Sequence, residues 1–299
     1  MQICTPVYPL LLMPKPKLKV AIQKSGRLSE DSLALFKESG IKFGNGQRKL
    51  RTLASNFPVE FLFLRNSDIP GYVADGIADL GIVGRNIFLE ERKEIIEIKA
   101  LGFSKCRMSL AVPREAEYHG LDYFKNQCIA TSYPIILKNF LDEQNISADV
   151  HKISGSVEIA PGIGLSAGIF DIVSTGSTLI SNGLKEVETV LHSEAILVGN
   201  KDLDQEKNKL IEQLLFRIEA VLAGKNNKYV LMNAPNEKLK DILTLIPGMR
   251  SPTVLPLAAE GWSSIHSVLN EDDFWNSIEK LRQAGAEGVL VVPIEKMIR

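Results

Sequence analysis

The residues best suited to chemistry lie in Asp171-Ile172-Val173-Ser174-Thr175-Gly176-Ser177-Thr178-Leu179. An apolar strand carries an acid and then runs into a loop of Ser, Thr and Gly ahead of a short helix at Leu179. Small residues let several backbone N–H groups converge, hydroxyls add donors, and a helix N-terminus contributes positive potential, so such a loop can cradle a phosphate without cationic side chains. Asp171 is placed to accept hydrogen bonds from sugar hydroxyls, with Glu158 on the preceding segment as its partner. Together these groups meet the needs of a ribose phosphate. The competing reading is a serine-rich turn that only caps a helix.

A second anion site is expected at Gln23-Lys24-Ser25-Gly26-Arg27-Leu28, where the first strand passes into the first helix and amides point past the strand ends. A solvated charged turn is the alternative there. Arg48, Lys49, Arg51, Arg65, Arg85, Lys105 and Arg107 add cations in the same region, and Arg107 stands beside the boundary between two blocks of the chain. Two motif matches are expected to be accidental. Gly164-Leu165-Ser166-Ala167-Gly168 fits the nucleophile-elbow string, and Gly162-x-Gly164-x-x-Ala167 resembles a dinucleotide fingerprint. Both motifs need a strand before and a helix after, whereas here helix-like sequence with Pro161 in its first turn precedes and a strand follows. The four histidines, His119, His151, His192 and His266, have neither metal-ligand spacing nor a nucleophile beside them, so any metal is expected to arrive with a substrate.

These candidates must be positioned by a β/α alternation that starts at Lys17. Lys19 to Ile22 reads as a strand, Ser29 as the cap of a helix running to Gly40, Val59 to Leu64 as a strand, Ile69 to Asp75 as a short helix, and Asp79 to Val83 as a strand. A second block follows with strands at Met108 to Pro113, Cys128 to Thr131, Asp149 to Ile153 and Ile169 to Val173, and a helix at Ile135 to Gln144. Asp75-Gly76-Ile77-Ala78-Asp79-Leu80 and Ala167-Gly168-Ile169-Phe170-Asp171-Ile172 form a faint repeat, which suggests two similar lobes facing a cleft. The third block, from Lys225, reads in the order βαββαβ, which is ferredoxin-like. Asn236 and Asn270 stand at its expected helix N-caps, Gly285 at a helix C-terminus, and Trp262 and Trp275 read as packing residues.

Composition excludes several classes. With 299 residues, 45% hydrophobic, 24% charged and a net charge of -1, the chain has the balance of a water-soluble enzyme. A pI near 6.5 with interspersed charges argues against nucleic-acid binding. Three cysteines without Cys-x-x-Cys spacing suggest neither a disulfide framework nor a zinc site, and fit a reducing cytoplasm. The apolar run Tyr8 to Met13 is cut by prolines and lacks a preceding positive charge, so residues 1–16 are expected to be a flexible extension rather than a signal or membrane segment.

Over Lys17 to Arg299 the chain resembles the long-form ATP phosphoribosyltransferase family. Its signature corresponds to Glu158 through Leu179. Gln23 to Leu28, Asp68-Ile69-Pro70-Gly71, Ala78-Asp79-Leu80-Gly81-Ile82, Ala130-Thr131-Ser132-Tyr133-Pro134 and Pro293-Ile294-Glu295-Lys296-Met297 also look like the family's motifs. The resemblance implies an α/β fold with two periplasmic-binding-protein-like catalytic lobes and a C-terminal ferredoxin-like, ACT-like domain. Lobe I would hold 17–105 and 192–224, lobe II 106–191, and the regulatory domain 225–299. It implies transfer of the phosphoribosyl group of phosphoribosyl pyrophosphate (PRPP) to N1 of the ATP adenine, the first step of histidine biosynthesis, with feedback inhibition by histidine. Glu158 and Asp171 would be catalytic, and Asp171, Ser174, Thr175, Gly176, Ser177 and Thr178 would bind PRPP. Lys24, Gly26, Arg27, Arg48, Asp68 and Arg107 would bind ATP, and Thr253 and Ala286 would bind histidine. Mg2+ would be carried by the pyrophosphate, without direct protein ligands. A cytoplasmic homo-oligomer, dimer and hexamer, with no nucleic-acid or membrane partner, is implied. Arg85 stands where the family commonly has an acid, Asn66 and Ser67 replace acids, and Gly162 replaces a basic residue.

Overall fold

The computed structural model describes residues 17–44, 50–246, 248 and 251–298, and the expectations for residues 1–16, Arg48 and Lys49 lie outside these. The chain forms two compact units, with the later division falling at Glu212. The first unit holds two sheets, and the second holds a four-stranded sheet.

The first sheet contains β1 (Leu18–Gln23), β2 (Arg51–Leu53), β3 (Val59–Leu64), β4 (Leu80–Gly84), β5 (Ile95–Ala100) and β11 (Ala195–Asn200), in the order β2-β3-β1-β4-β11-β5. β1 pairs in parallel with β3 and β4, while β11 runs antiparallel between β4 and β5. The helices are α1 (Arg27–Glu38), α2 (Ile69–Ala74) and α3 (Arg85–Glu91). β1 is apolar enough to be buried on both faces, as a central parallel strand requires. Ala21, Ile69, Val73, Val83, Ile196 and Val198 close one side of this core. Helix α1 begins at Arg27, earlier than the expected cap at Ser29. Gly26, at φ +89°, makes the turn, its carbonyl accepts the Glu30 N–H at 3.1 Å, and Ser29 lies buried inside the first turn. Helix α3 and strand β5 stand in a stretch to which the sequence reading assigns no element.

The second sheet has the order β10-β6-β9-β7-β8, from β6 (Cys106–Pro113), β7 (Cys128–Thr131), β8 (Asp149–Lys152), β9 (Gly168–Val173) and β10 (Leu184–Ser193). Helices α4 (Pro134–Glu143) and α5 (Ser177–Ser181) belong to this lobe. Alternation along β6 sends Met108, Leu110 and Val112 into a cluster with Phe124, Leu137 and Phe170, and Ala111 into a second cluster with Val157, Ile169 and Val173. Burying a side chain such as Phe170 contributes ~1.5–3 kcal/mol. The helix expected around Pro161 is absent. Residues 157–159 form a single 3-10 turn and the chain then runs through turns, because Gly162 and Gly164 favour them and Gly164 adopts φ +75°.

The second unit contains α6 (Gln205–Lys225) from Glu212 onward, β12 (Asn227–Pro235), α7 (Leu239–Leu245), β13 (Thr253–Pro256), β14 (Trp262–Asn270), α8 (Glu271–Gln283) and β15 (Glu287–Pro293). Its antiparallel sheet has the order β13-β14-β12-β15, the βαββαβ topology expected. Val230, Met232, Ile265, Ile242, Phe274 and Leu281 form the core between sheet and helices. Asn270 caps α8 as expected, its Oδ1 accepting the Asp272 N–H at 3.0 Å. Gly285 turns the chain out of that helix at φ +98°. Two expectations fail. Asn236 opens a 3-10 turn, and its Oδ1 instead accepts the Ser263 hydroxyl at 2.6 Å. Trp275 is 66% exposed, because Phe274 and Leu281 already define the buried stripe of α8 and the next residue is rotated away from it.

Candidate functional site

β9 delivers Asp171 and runs into the loop Ser174 to Gly176, which opens α5. Gly176 lies at φ +82°, a conformation glycine adopts without steric cost. The loop is held from within. Thr175 Oγ1 lies 3.0 Å from Ser177 Oγ and accepts the Ser177 N–H at 3.4 Å. Ser174, Thr175, Ser177 and Thr178 remain exposed, so their donors face outward. Glu158, Asp171 and the loop 174–178 line one pocket of about 150 Å³, together with Ile172 and Leu179. The structure therefore brings the two acids and the five loop residues into one pocket.

Burial raises the Asp171 carboxyl above the usual range. The Ile172 N–H, donating at 2.8 Å, opposes that rise, and the charge of Glu158 adds to it. A carboxylate so placed is costly when no cation is nearby and stabilised when positive charge develops beside it.

Sheet register gathers a polar cluster beside the pocket. Asp171 is paired with Ser109 of β6, two residues from Arg107 on the same face. Irregularities in β10 between Glu186 and Glu188, and between Thr189 and Leu191, bring Glu186 and Thr189 to this face. Arg107 grips Glu186 with Nε and Nη2, both at 2.5 Å, while Nη1 donates to the Ser174 carbonyl at 3.1 Å. Ser109 Oγ donates to Glu186 at 2.7 Å and Thr189 Oγ1 at 3.3 Å. Arg107 and these hydroxyls hold Glu186 below the ordinary carboxylate range. All three guanidinium nitrogens of Arg107 are engaged with protein acceptors, which favours a role in fixing the loop over the expected contact with ATP. Sequence reasoning missed Glu186, because nothing local sets the register of strands so far apart in the chain.

The first-lobe candidates converge at another edge. Gln23 and Leu64 are paired at the ends of the parallel strands β1 and β3, and the Lys24 N–H donates to the Leu64 carbonyl at 2.8 Å. Lys24, Gly26 and Arg27 thus leave β1 at the same sheet end from which β3 runs on, through a 3-10 turn, to Asp68. Arg27 is exposed and lies 3.9 Å from Asp31, and Asp68 accepts from Ser67 Oγ at 3.2 Å. Asn66 Oδ1 is buried here without a hydrogen-bond partner. Arg85, the residue that departs from the family's acid, is tied to Glu97 and Glu194.

Both accidental motifs are accounted for. Residues 164–167 lie in turns and bends before β9, the reverse of a nucleophile elbow, and Ser166 Oγ is buried and unpartnered. Among the described residues no group of three or more His, Cys, Asp or Glu could hold a metal ion. None of the described helices is long and apolar enough to cross a membrane. His266 bonds Tyr229 through Nδ1 at 2.8 Å and Ser264 through Nε2 at 3.1 Å.

Thr253 and Ala286 are not brought together within one chain. Thr253 is on edge strand β13, and Ala286 immediately precedes the opposite edge strand, β15. Three strand spacings separate these edges, at least about 14 Å. Ala286 lines a separate cavity of about 820 Å³ with Ile278, Arg282 and Glu287.

The sequence model of the ATP phosphoribosyltransferase family matches residues 65–220, and that of the HisG C-terminal domain matches residues 224–296. An ATP phosphoribosyltransferase of Phocaeicola vulgatus is 59% identical over 281 residues, 94% of this chain and 99% of that protein. One from Bacteroides thetaiotaomicron is 57% identical over the same shares. Among solved structures, a chain of the ATP phosphoribosyl transferase (HisG:HisZ) complex from Thermotoga maritima is similar at a TM-score of 0.57 and 28% identity. The match covers 68% of this chain and 98% of that one.

Proposed function

The chain belongs to the ATP phosphoribosyltransferase family, and from that premise we propose how its residues share the two substrates. The enzyme transfers the 5-phosphoribosyl group of PRPP to N1 of the adenine of ATP and releases pyrophosphate, the first step of histidine biosynthesis. In our reading the 5′-phosphate of PRPP sits on Ser174 to Thr178, and Asp171 and Glu158 hold the ribose hydroxyls. The observation that carries this is the single pocket shared by both acids and the loop. ATP is assigned to the first-lobe edge of Lys24, Gly26, Arg27 and Asp68, where exposed cations and a helix start meet.

Adenine N1 brings its own lone pair, so the protein need not supply a strong base. As pyrophosphate departs, positive charge grows on the ribose ring beside Asp171. A carboxylate destabilised by burial gains most from that charge, which lowers the barrier electrostatically. Holding two anionic substrates in register supplies the remaining acceleration. We assign Mg2+ to the pyrophosphate oxygens, where it would neutralise charge on the leaving group. Asp171 and Glu158, the two acids of the pocket, are the carboxylates that would face such a complex.

We divide the chain into lobe I (17–105 with 192–224), lobe II (106–191) and a regulatory domain (225–299), and place the enzyme in the cytoplasm. Histidine is proposed to inhibit through the last domain. Because Thr253 and Ala286 occupy opposite sheet edges, one ligand meets both only when two copies bring unlike edges together, which supports a homo-oligomer. The test of the activity is incubation with Mg2+ and PRPP, adding either ATP or adenine. Release of pyrophosphate with ATP alone is expected, and equal release with adenine would overturn the assignment.

A further inference from the structure

We propose that Glu90 is a positioning residue for the transfer: a first-lobe carboxylate that seats helix α4 of the second lobe at the seam between the lobes. The need for it is written into α4. Pro134 opens this helix and has no N–H to place. The first helical bond runs from the Leu137 N–H to the Tyr133 carbonyl, and the Tyr133 side chain makes no cap, so the amides of Ile135 and Ile136 need acceptors from elsewhere. Glu90, at the end of α3, provides them. Its two oxygens take the Ile135 N–H at 3.0 and 3.1 Å, and one also takes the Ile136 N–H at 3.0 Å.

Glu90 is only 8% exposed, and a carboxylate is buried without large cost only when its charge is met. Two amides and the positive end of a helix meet it here. Helix α3 is fixed at its other end too. The Asn86 N–H donates to Ser193 Oγ, and that hydroxyl donates back to Asn86 Oδ1, both at 3.0 Å. Ser193 faces Cys106 in the strand pair β10 and β6, where the chain leaves and enters the second sheet. The helix is therefore held at its start to the end of β10, where the chain returns to the first lobe, and is pinned to the second lobe at the buried Glu90 and at the surface, where Arg92 donates to Asn139 at 2.6 Å.

Tyr133, the residue at the start of α4, lies within this joint. Burial first, and then the charge of Asp171, raise its hydroxyl well above the ordinary phenol range, and a hydrogen bond with Asn86 of helix α3 opposes that rise. Seating α4 therefore also sets what surrounds Asp171. The inference rests on the proposed division of substrates between the lobes. Under that division, loosening Glu90 leaves each substrate its own lobe but misaligns the two.

The test compares Glu90→Gln and Glu90→Ala in the full chain. Glu90→Gln keeps the shape and removes the charge and one acceptor, and is expected to fold where the alanine variant does not. Its kcat should fall about tenfold or more while KM for ATP and for PRPP each stay within about threefold, the pattern of lost alignment rather than lost binding. Amide exchange at Ile135 and Ile136 should accelerate by about tenfold while the strands of the second sheet keep their protection. An unchanged kcat, a rise in KM alone, or uniform loss of protection would overturn the role. A wrong division of substrates shows elsewhere, as a Thr175→Ala variant whose PRPP affinity is intact, and leaves the exchange result at Ile135 and Ile136 to judge the clamp.

Discussion

Arg107 of β6 and Glu186 of β10 form a two-point ion pair, and the one guanidinium nitrogen left over holds the carbonyl of Ser174. The pair thus connects the irregular strand β10 to the first residue of the phosphate loop. A planar guanidinium grips the carboxylate with two nitrogens and reaches the carbonyl with the third, a spread that the single nitrogen of an ammonium does not reproduce. Arg107→Lys is therefore expected to raise the KM for PRPP several-fold and to leave the KM for ATP near its original value. Steady-state kinetics with each substrate varied in turn checks this, and an effect confined to ATP would return Arg107 to the ATP site.

The same pair has a pH signature. Glu186 is held below its unfolded value, chiefly by Arg107, so it contributes stability that is present above the ordinary carboxylate range and lost as pH falls through its lowered pKa. The stability difference between the wild type and Glu186→Gln should be constant near neutrality and shrink toward zero in acid. Urea unfolding of both proteins across that range measures it. A difference that grew as pH fell would reverse the sign argued here.

Asp171 runs the opposite way. Its carboxyl is raised, mainly by burial, so its ionised form costs stability at neutral pH, and that cost disappears as pH drops below the unfolded value. Asp171→Asn keeps an oxygen for the Ile172 N–H and should be as stable as the wild type or more so. Its kcat should nevertheless fall further than its affinity for PRPP, since the lost charge matters most when the ribose becomes cationic. Thermal unfolding paired with kinetics decides the matter: a normal kcat with only a raised KM would remove the electrostatic role.

The phosphate loop depends on Gly176 for its backbone and on Thr175 for a hydroxyl. Gly176→Val places a β-branched residue at φ +82°, where it is strained whatever space surrounds it. Thr175→Ala removes the oxygen that organises Ser177. A hydrogen bond to a charged phosphate contributes ~1.5–3 kcal/mol, so weaker PRPP binding by about tenfold or more is expected in each variant. Isothermal titration with PRPP provides the check, and unchanged affinity in both would take this loop out of the site.

In the C-terminal domain, Asn270→Ala removes the cap of α8 and should cost ~1 kcal/mol of that domain's stability. Thr253→Ala should raise the histidine concentration needed for half-inhibition by several-fold, with kcat in the absence of histidine nearly unchanged, if the coupling has the usual size of ~1–3 kcal/mol. Competition between histidine and PRPP for a single site would contradict a regulatory site in this domain.

Sequence alone made four strands of the second lobe and the loop after Asp171 legible, while β10 went unread and the helix expected around Pro161 is absent. Short apolar runs made β6 and β9 visible, and the string of Ser, Thr and Gly after Asp171 carried its own conformational meaning, because small residues, a glycine turn and a helix start are local properties. The βαββαβ order of the third block and the Asn270 cap were legible for the same reason. The start of α1 was misplaced because Ser29 is a good cap in isolation, whereas Gly26 provides the turn. Tertiary structure decided what depends on register and on contacts between distant segments. Glu186 meets Arg107 only after irregular pairing shifts β10, Glu90 caps a helix that begins forty-four residues later in the chain, and Thr253 parts from Ala286 because the strands are ordered β13-β14-β12-β15. Such pairings carry no local signal, since the energy that selects them arises from burying faces and satisfying polar groups across the whole fold.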